Sequence, residues 1–283
     1  MNVTHRVPGK VVLLGEYAVL DGAPALVAAV DRGVAVHAES GPDLVIHTPG
    51  QDDRFVRAAL ERIGAKGTFT FSAFNLPDTP FKVGLGSSAA ATVAAVRAGL
   101  SLSSDAADDD QVFSLALEIH RAVQGSGSGI DVAASTYRGV LRYQNERAEP
   151  APPLTLPWTL VWSGGSAQTG PRVKTYLRWK ERQAFVDLTT QLVHAFGADP
   201  IHAFRRARRA LETMADSASV AYRTPGLDAI CDLAEAHGGG GKASGAGGGD
   251  IAIAILPDEA SLRAFNDACL ARDLTPITVG IAR

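Results

Sequence analysis

The sequence is poor in cysteine, with only Cys231 and Cys269 among its 283 residues. Two cysteines cannot build the disulfide framework of a small secreted protein, and such scarcity is typical of a reducing compartment. No apolar run approaches the ~20 residues that a membrane-spanning helix needs. The amino-terminal residues also lack the apolar stretch and cleavage site of a secretory signal. We therefore expect a cytoplasmic protein that does not associate with membranes.

An excess of charge of one sign is also lacking. The chain has 27 lysines and arginines against 30 aspartates and glutamates, a formal net charge of -3. Without a basic excess it has no general electrostatic attraction for nucleic acid. Hydrophobic residues make up 46% and charged residues 20% of the chain, which is not the composition of a disordered protein. The length suffices for one large domain or two modest ones, each with its own core.

Glycine, by contrast, is concentrated in clusters. The largest are GLGSS from residue 84, GSGSG from residue 125 and GGGGKASGAGGG from residue 238. Each abuts a strongly apolar segment, whereas a flexible linker mixes glycine with serine and charge. Such clusters are typical of a backbone that bends tightly or approaches a ligand closely.

Apolar periodicity predicts helices and strands without strict alternation, which is the pattern of an α+β protein. We expect strands at residues 11–14, 25–30, 34–37, 44–48, 68–74, 139–144, 159–163, 251–256 and 276–281. We expect helices at residues 52–65, 89–100, 108–123, 171–182, 184–196, 201–215, 227–237 and 261–272. Four prolines between residues 147 and 158 predict a boundary between an amino-terminal domain, 1–150, and a carboxy-terminal domain, 151–283.

The segment GLGSSAA is the sharpest local indication of a ligand. Its two glycines free backbone N–H groups, and Ser87 or Ser88 is expected to cap the helix that follows. The amino terminus of that helix carries partial positive charge, so the segment is suited to phosphate. From this cluster alone, the alternative is a tight turn into a buried helix.

Two familiar phosphate-binding motifs fit less well. A Walker-type loop requires G-x-x-x-x-G-K-[ST], but around the Gly-Lys pair at 241–242 its first and last positions are Ala236 and Ala243. The segment GLGSSA satisfies the dinucleotide fingerprint G-x-G-x-x-A, although two prolines precede it where a buried strand is required. A dinucleotide-binding protein therefore remains the weaker alternative.

Three segments, PGKVVLLGEYAVL, GLGSSAAATVAAV and KASGAGGGDIAIAI in that order, resemble the three motifs of the GHMP small-molecule kinases. This resemblance spans essentially the whole chain. It implies a two-domain fold, with a ribosomal-S5-like amino-terminal domain and a ferredoxin-like carboxy-terminal domain. It also implies ATP, with its phosphates under the second motif, and Mg²⁺ as cofactors.

Within that family, four segments are more similar to phosphomevalonate kinases than to mevalonate kinases: GEYAVL, SGAGGGD, QGSGSGIDVAAS and GGSAQTGPRVKTYLRWK. The resemblance thus implies ATP-dependent phosphorylation of 5-phosphomevalonate to the diphosphate. A mevalonate kinase or another small-alcohol kinase of the family is the alternative. A ligand-binding member without catalysis remains open as a different class.

By the same resemblance, Lys10 and Asp131 are the catalytic pair. Lys10 would lie beside the acceptor and the transferring phosphate, and Asp131 would orient or deprotonate the acceptor oxygen. Taken by themselves, Lys10 also fits an exposed lysine before a strand, and Asp131 a helix N-cap. His120 stands where mevalonate kinases place a magnesium-binding glutamate, and a neutral imidazole is a poor Mg²⁺ ligand. We therefore expect a water-bridged or singly protein-ligated magnesium.

The resemblance assigns the remaining site residues. Nucleotide phosphates are assigned to Gly84, Leu85, Gly86, Ser87, Ser88 and Ala89, with Ser88 as the metal ligand. The acceptor is assigned to Lys10, Glu16, Tyr17, Lys82, Ser128, Gly129, Gln168, Thr169, Arg172, Lys174, Ser244, Gly245 and Ala246. Lys82, Arg172 and Lys174 would supply the cations that a phosphorylated acceptor needs. The expected partner is a small phosphorylated molecule, and the expected assembly is a monomer or homodimer.

Overall fold

Two β-sheets and the helices packed on them make up this computed structural model, which describes residues 1–50, 52–75, 84–103, 107–166 and 169–283. Within these ranges the strands are β1 (Asn2–Leu14), β2 (Ala25–Glu39), β3 (Leu44–His47), β4 (Gly67–Phe74), β5 (Val140–Gln144), β6 (Arg147–Pro150), β7 (Trp158–Trp162), β8 (Gly240–Ala243), β9 (Ile251–Ile255) and β10 (Thr275–Ile277). The α-helices are α1 (Arg54–Ile63), α2 (Ser87–Leu102), α3 (Asp109–Gln124), α4 (Ile130–Tyr137), α5 (Thr169–Arg178), α6 (Gln183–Ala195), α7 (Pro200–Ala218), α8 (Pro225–Ala236) and α9 (Glu259–Leu270).

The larger sheet has six strands in the order β3-β4-β2-β5-β6, with β1 paired to β2 beside this path. β1 and β2 are long antiparallel partners whose register shifts between Pro8 and Gly9. Opposite this shift, a side chain on Gly33 would place its Cβ 2.1 Å from the carbonyl oxygen of Val7, so the close approach requires glycine. The strands predicted at 25–30 and 34–37 are therefore one strand, with the irregularity inside it.

Helix α2 packs on this sheet and is largely buried. Nine of its 16 residues are buried, and most of these are alanine or valine. Small side chains let the helix axis approach the sheet closely, and the helix predicted at residues 89–100 is confirmed. The apolar face of α1 is Val56, Ala59 and Leu60.

The smaller sheet has four antiparallel strands in the order β10-β7-β9-β8. Its strands follow residue 157 and those of the larger sheet precede residue 151, so the predicted boundary near residue 150 falls between β6 and β7. The α+β class is confirmed. Among the residues that the structure describes, no helix is both long and apolar enough to cross a bilayer.

Three elements are absent from the sequence prediction: α4, β6 and β8. The proline-rich boundary segment includes β6, which pairs with β5 at the edge of its sheet, where a terminal proline is tolerated. The sequence of β8 is GGKA, which has no apolar alternation. Its glycines instead admit neighbouring elements, because a Cβ on Gly240 would lie 2.8 Å from the carbonyl oxygen of Ile201.

A buried polar cluster joins the two sheets where β8 meets the end of β1. The side chain of Lys242 has no exposed surface, and its ammonium group forms an ion pair with Glu16, whose side chain is 2% exposed. The same ammonium donates to the carbonyl oxygens of Val12 at 3.4 Å and Ala243 at 3.0 Å. Burial lowers the pKa of Lys242, while the Glu16 carboxylate opposes that effect. These bonds satisfy a charge that burial alone would strongly disfavour.

We predict that Lys242→Met lowers the free energy of unfolding by about 3–5 kcal/mol, because it leaves Glu16 as an uncompensated buried carboxylate. The double variant Lys242→Met, Glu16→Leu should recover most of this loss, since it removes both charges. Urea denaturation followed by tryptophan fluorescence measures the effect. As a control, Arg62→Gln breaks an exposed ion pair with Glu118 and should cost less than about 1 kcal/mol. A single variant as stable as the unmodified chain would contradict the prediction.

Candidate active site

A cavity of about 140 Å³ lies between the two halves of the molecule. Residues of β1, α3, α4 and α5 line it, together with the segments around Tyr17 and Gly245. Of the residues assigned to the acceptor from sequence, the structure brings to this wall Lys10, Glu16, Tyr17, Ser128, Gly129, Thr169, Gly245 and Ala246, with Asp131 beside them. These residues come from distant parts of the chain, so the fold gathers them at one place.

Lys10 and Asp131 face each other across the cavity wall. The Nζ atom of Lys10 is 3.7 Å from Oδ1 of Asp131, with the two side chains 8% and 35% exposed. Lys10 is therefore not an exposed lysine. Asp131 is the second residue of α4, whose N-cap is Gly129, so the N-cap interpretation of Asp131 is wrong. The ammonium group of Lys10 can neutralise part of the charge of an anion bound beside it, and the Asp131 carboxylate orients that ammonium group.

The backbone of the GLGSS segment restrains Lys10. The backbone N–H of Lys10 donates to the carbonyl oxygen of Leu85 at 2.9 Å. Gly86 has φ 75°, and a Cβ there would lie 3.1 Å from both Cγ and Cε of Lys10. Glycine thus serves two purposes at this position, since it adopts the left-handed conformation and leaves room for the lysine side chain.

Helix α2 begins at Ser87 with Gly86 as its N-cap, and no side chain caps it. The expectation that Ser87 or Ser88 caps the helix is therefore wrong, because both lie inside its first turn. The hydroxyl of Ser88 instead lies 3.2 Å from Nε2 of His120. Backbone N–H groups in the first turn of a helix have no partner within it, and they are the usual donors to an anion. Gly84 precedes this turn and Ala89 lies within it. The assignment of the segment to the nucleotide phosphates stays a prediction.

The GLGSS segment borders a second cavity, of about 300 Å³. Leu85, Ser87 and Ser88 line it together with Phe55 and Phe71. The first cavity is adjacent to this segment through Lys10, which packs against Leu85 and Gly86. One contains the Lys10–Asp131 pair, and the other has aromatic walls.

The residues near Ser88 do not form a protein cage for Mg²⁺. His120 is buried and stacks on Phe55, with ring centroids 5.0 Å apart. Burial lowers the pKa of His120, against the opposing effect of Asp131, so its imidazole is neutral at neutral pH. In the part of the chain that the structure describes, no group of three or more His, Cys, Asp or Glu residues could hold a metal ion. The donor set therefore does not fit a metal held mainly by the protein.

Two side chains fix the GSGSG loop by donating hydrogen bonds to one of its backbone carbonyls. Tyr143 donates its hydroxyl to the carbonyl oxygen of Ser128 at 2.6 Å, and Arg121 donates to the same oxygen at 3.1 Å. Burial raises the pKa of Tyr143 to about 12, so the phenol remains a donor at neutral pH. The loop ends at Gly129, with φ 90°, where α4 begins. This loop consequently sets the position of Asp131.

In the third glycine cluster, which starts at residue 238, Ser244 joins two strands and is not available to bind the acceptor as predicted. Ser244 donates its backbone N–H to the carbonyl oxygen of Ile251 at 3.0 Å, and its hydroxyl accepts from the backbone N–H of Val12 at 2.8 Å. Ser244 is thus committed to holding β8 against β1 and has no backbone donor for a phosphate. Tyr17, at φ 61°, likewise donates its hydroxyl to the carbonyl oxygen of Ala246 at 2.6 Å. Glu16 is engaged by the buried Lys242.

Two of the cations expected from sequence, Arg172 and Lys174, do not line the cavity. Arg172 donates to the carbonyl oxygens of Ala221 at 2.7 Å and Gly248 at 3.4 Å, and Lys174 is exposed on α5 away from the lining residues. Lys82 and Gln168 lie outside the described residues. Sequence reasoning missed Arg121, which does line the cavity. Its position in the last turn of a predicted helix, directly before the GSGSG loop, was the available signal.

Both halves of the chain are similar to known proteins. Residues 54–139 match the family model described as GHMP kinases N terminal domain, and residues 192–271 match GHMP kinases C terminal. The chain is 34% identical to a phosphomevalonate kinase of Streptomyces sp. (strain CL190), with 92% of this chain and 91% of that protein covered. It is 26% identical to a mevalonate kinase of Thermococcus sibiricus, with the same shares covered.

The fold has solved counterparts. The structure of Streptococcus pneumoniae phosphomevalonate kinase in complex with phosphomevalonate and AMPPNP superimposes with a TM-score of 0.83. The two sequences are 20% identical, and the superposition covers all of both chains. At this identity the likeness shows the fold.

We predict that Gly129→Ala is more destabilising than Gly139→Ala, by about 1–3 kcal/mol. Both glycines have positive φ, so both variants bear the same backbone strain. At Gly129 a Cβ would also lie 2.5 Å from Leu117 Cδ1 and 2.8 Å from the Tyr143 hydroxyl, whereas at Gly139 no described atom lies within 4 Å. Thermal unfolding of the two variants measures the difference. Equal losses of stability in the two variants would show that the GSGSG loop shifts to accommodate the added Cβ at no energetic cost.

Proposed function

This chain belongs to the GHMP kinase family, and from that premise we propose that it transfers the γ-phosphoryl group of ATP to the phosphate of 5-phosphomevalonate, forming the diphosphate. The observation that carries the proposal is the Lys10–Asp131 pair on the wall of a cavity beside the GLGSS segment. The identity of 34% to a phosphomevalonate kinase, against 26% to a mevalonate kinase, supports the phosphorylated acceptor.

The acceptor oxygen in this reaction needs little deprotonation. A phosphate monoester has a second pKa of about 6, so it is largely dianionic at neutral pH. Its attack on a second phosphoryl group brings two anions together, and phosphoryl transfer then depends mainly on positioning and on neutralising charge. Lys10 supplies such a charge at a fixed place, because Leu85 and Gly86 restrain it. Asp131 keeps the ammonium group of Lys10 oriented toward the acceptor.

The other cavity is the proposed nucleotide site. Its aromatic wall, which includes Phe55 and Phe71, suits a base, and the first turn of α2 suits the phosphates. This arrangement puts the transferable phosphate at the GLGSS segment, between the two cavities. Because the described side chains do not cage a metal, Mg²⁺ would be held chiefly by the nucleotide phosphates and water, and its chemistry there is neutralisation of their charge.

We predict that the purified enzyme releases ADP with 5-phosphomevalonate and at least about 10²-fold more slowly with mevalonate, homoserine or galactose, because their alcohol oxygens need a base to remove a proton. A coupled assay of ADP release across the four acceptors measures this. Comparable release on mevalonate, with none on phosphomevalonate, would overturn the proposed acceptor while leaving the family assignment intact. Release without any acceptor provides the background.

We predict that Asp131→Asn lowers kcat by about 10²-fold, because Lys10 loses the carboxylate that orients it, while the KM for ATP changes less than about 3-fold. The activity of the variant and of the unmodified enzyme toward 5-phosphomevalonate should fall below pH ~6, because the acceptor phosphate is protonated there. A pH profile of kcat/KM for both proteins measures this fall. If the fall at low pH is lost in Asp131→Asn, Asp131 acts instead as the proton acceptor. Lys174→Met, away from the wall, is the matched control and should leave both constants unchanged.

A further inference from the structure

The proposed acceptor carries a second negative charge, a carboxylate at the end of the molecule opposite its phosphate. Lys10 is engaged at the phosphate end through Asp131. The Arg172 and Lys174 side chains do not line the cavity. Among the described residues, the cationic side chains on the wall are Lys10 and Arg121, so Arg121 is the candidate partner for the carboxylate.

Arg121 lies where the GSGSG loop forms part of the cavity wall. Its guanidinium donates to the carbonyl oxygens of Gly127 and Ser128, and both of these residues line the cavity with it. The preceding residue, His120, contacts Ser88 instead, since consecutive helical residues point about 100° apart. Lys10 and Arg121 are thus held on the wall by different segments, GLGSS and GSGSG. An acceptor that has one anionic end at Lys10 can place the other at Arg121.

The guanidinium of Arg121 has donors to spare. Three N–H groups are used, by the carbonyl oxygens of Gly127 at 3.2 Å and Ser128 at 3.1 Å and by the carboxylate of Glu146 at 2.5 Å. A guanidinium has five N–H groups in a planar fork, so two have no partner among the described residues. The side chains of Arg121 and Glu146 are 35% and 56% exposed. The group is thus held in place by backbone oxygens yet accessible from the cavity.

We propose that Arg121 binds the carboxylate of the acceptor with the N–H groups that the loop carbonyls and Glu146 leave free. This inference rests on the proposed function for the choice of a hydroxy acid as acceptor. The two loop carbonyls fix the orientation of the fork, and a fixed fork matches a carboxylate with two parallel hydrogen bonds. Glu146 offsets part of the charge of Arg121 and repels the carboxylate of the acceptor. Arg121 thereby distinguishes acceptors that carry a carboxylate from those with a neutral end.

A structural role makes a different prediction. If Arg121 only clamps the GSGSG loop, its removal disturbs Ser128 and weakens every acceptor alike. If it binds the carboxylate, its removal weakens only acceptors that carry one. The test therefore compares 5-phosphomevalonate with its carboxamide analogue, in which the carboxylate alone is replaced. Isothermal titration calorimetry measures the dissociation constants on the full-length chain.

Arg121→Gln should weaken binding of 5-phosphomevalonate by about 10- to 100-fold, the value of a charge-assisted pair, and binding of the carboxamide by less than about 3-fold. Arg121→Lys should recover part of the loss, because a point charge remains without the fork. Glu146→Gln should tighten binding of 5-phosphomevalonate by about 2- to 5-fold by removing a charge that repels the carboxylate. Arg62→Gln removes an exposed arginine that is paired with Glu118 of α3, and it should change neither ligand.

Equal weakening of both ligands in Arg121→Gln, or weaker binding of 5-phosphomevalonate in Glu146→Gln, would overturn the inference in favour of a loop clamp. Turnover of 5-phosphomevalonate by the unmodified enzyme tests the proposed function separately. If that turnover is absent while Arg121→Gln still separates the acid from the amide, the proposed function fails and the carboxylate site stands. Absence of binding by the unmodified chain would overturn both.

Discussion

The buried ion pair between Lys242 and Glu16 is the constraint on which the geometry of the site depends. A lysine without exposed surface is stable only when its charge is paired and its remaining donors are satisfied, and here one carboxylate and two backbone carbonyls do this. These bonds, together with the bond from Val12 to the Ser244 hydroxyl, fix β8 against β1 two residues from Lys10. The strand bearing Lys10 and the loop bearing Gly245 therefore form opposite walls of one cavity.

Glycine then determines what can approach Lys10. The GLGSS segment passes so close to the lysine that a side chain on Gly86 would crowd its aliphatic carbons. The same segment ends in the first turn of α2 and lines the cavity with Phe55 and Phe71, whereas Lys10 lines the cavity that contains Asp131. A phosphoryl donor in the first cavity and an acceptor in the second would meet at this turn. The arrangement accounts for transfer between two anions by placement of charge and backbone donors.

Much of this fold was predictable from sequence, because α2 and the apolar strands have strong periodicity and sharp glycine boundaries. Strand β8 was not, since the residues GGKA have no alternation and are buried by contacts with distant helices. The proximity of Lys10 and Asp131 followed from resemblance, but the burial of Lys10 depends on tertiary packing. Arg172 and Lys174 were misplaced for the same reason. Whether Arg172 or Arg121 faces the cavity depends on helix rotation, which spacing alone does not determine.

A crystal structure of the chain with 5-phosphomevalonate and a non-hydrolysable ATP analogue would test the proposed transfer most directly. We expect the acceptor phosphate within hydrogen-bonding distance of the Lys10 ammonium group, beside Asp131. We also expect the terminal phosphate of the nucleotide at the first turn of α2 and the nucleotide base against Phe55. An acceptor phosphate bound away from Lys10, or an acceptor in the aromatic cavity, would contradict the proposed transfer.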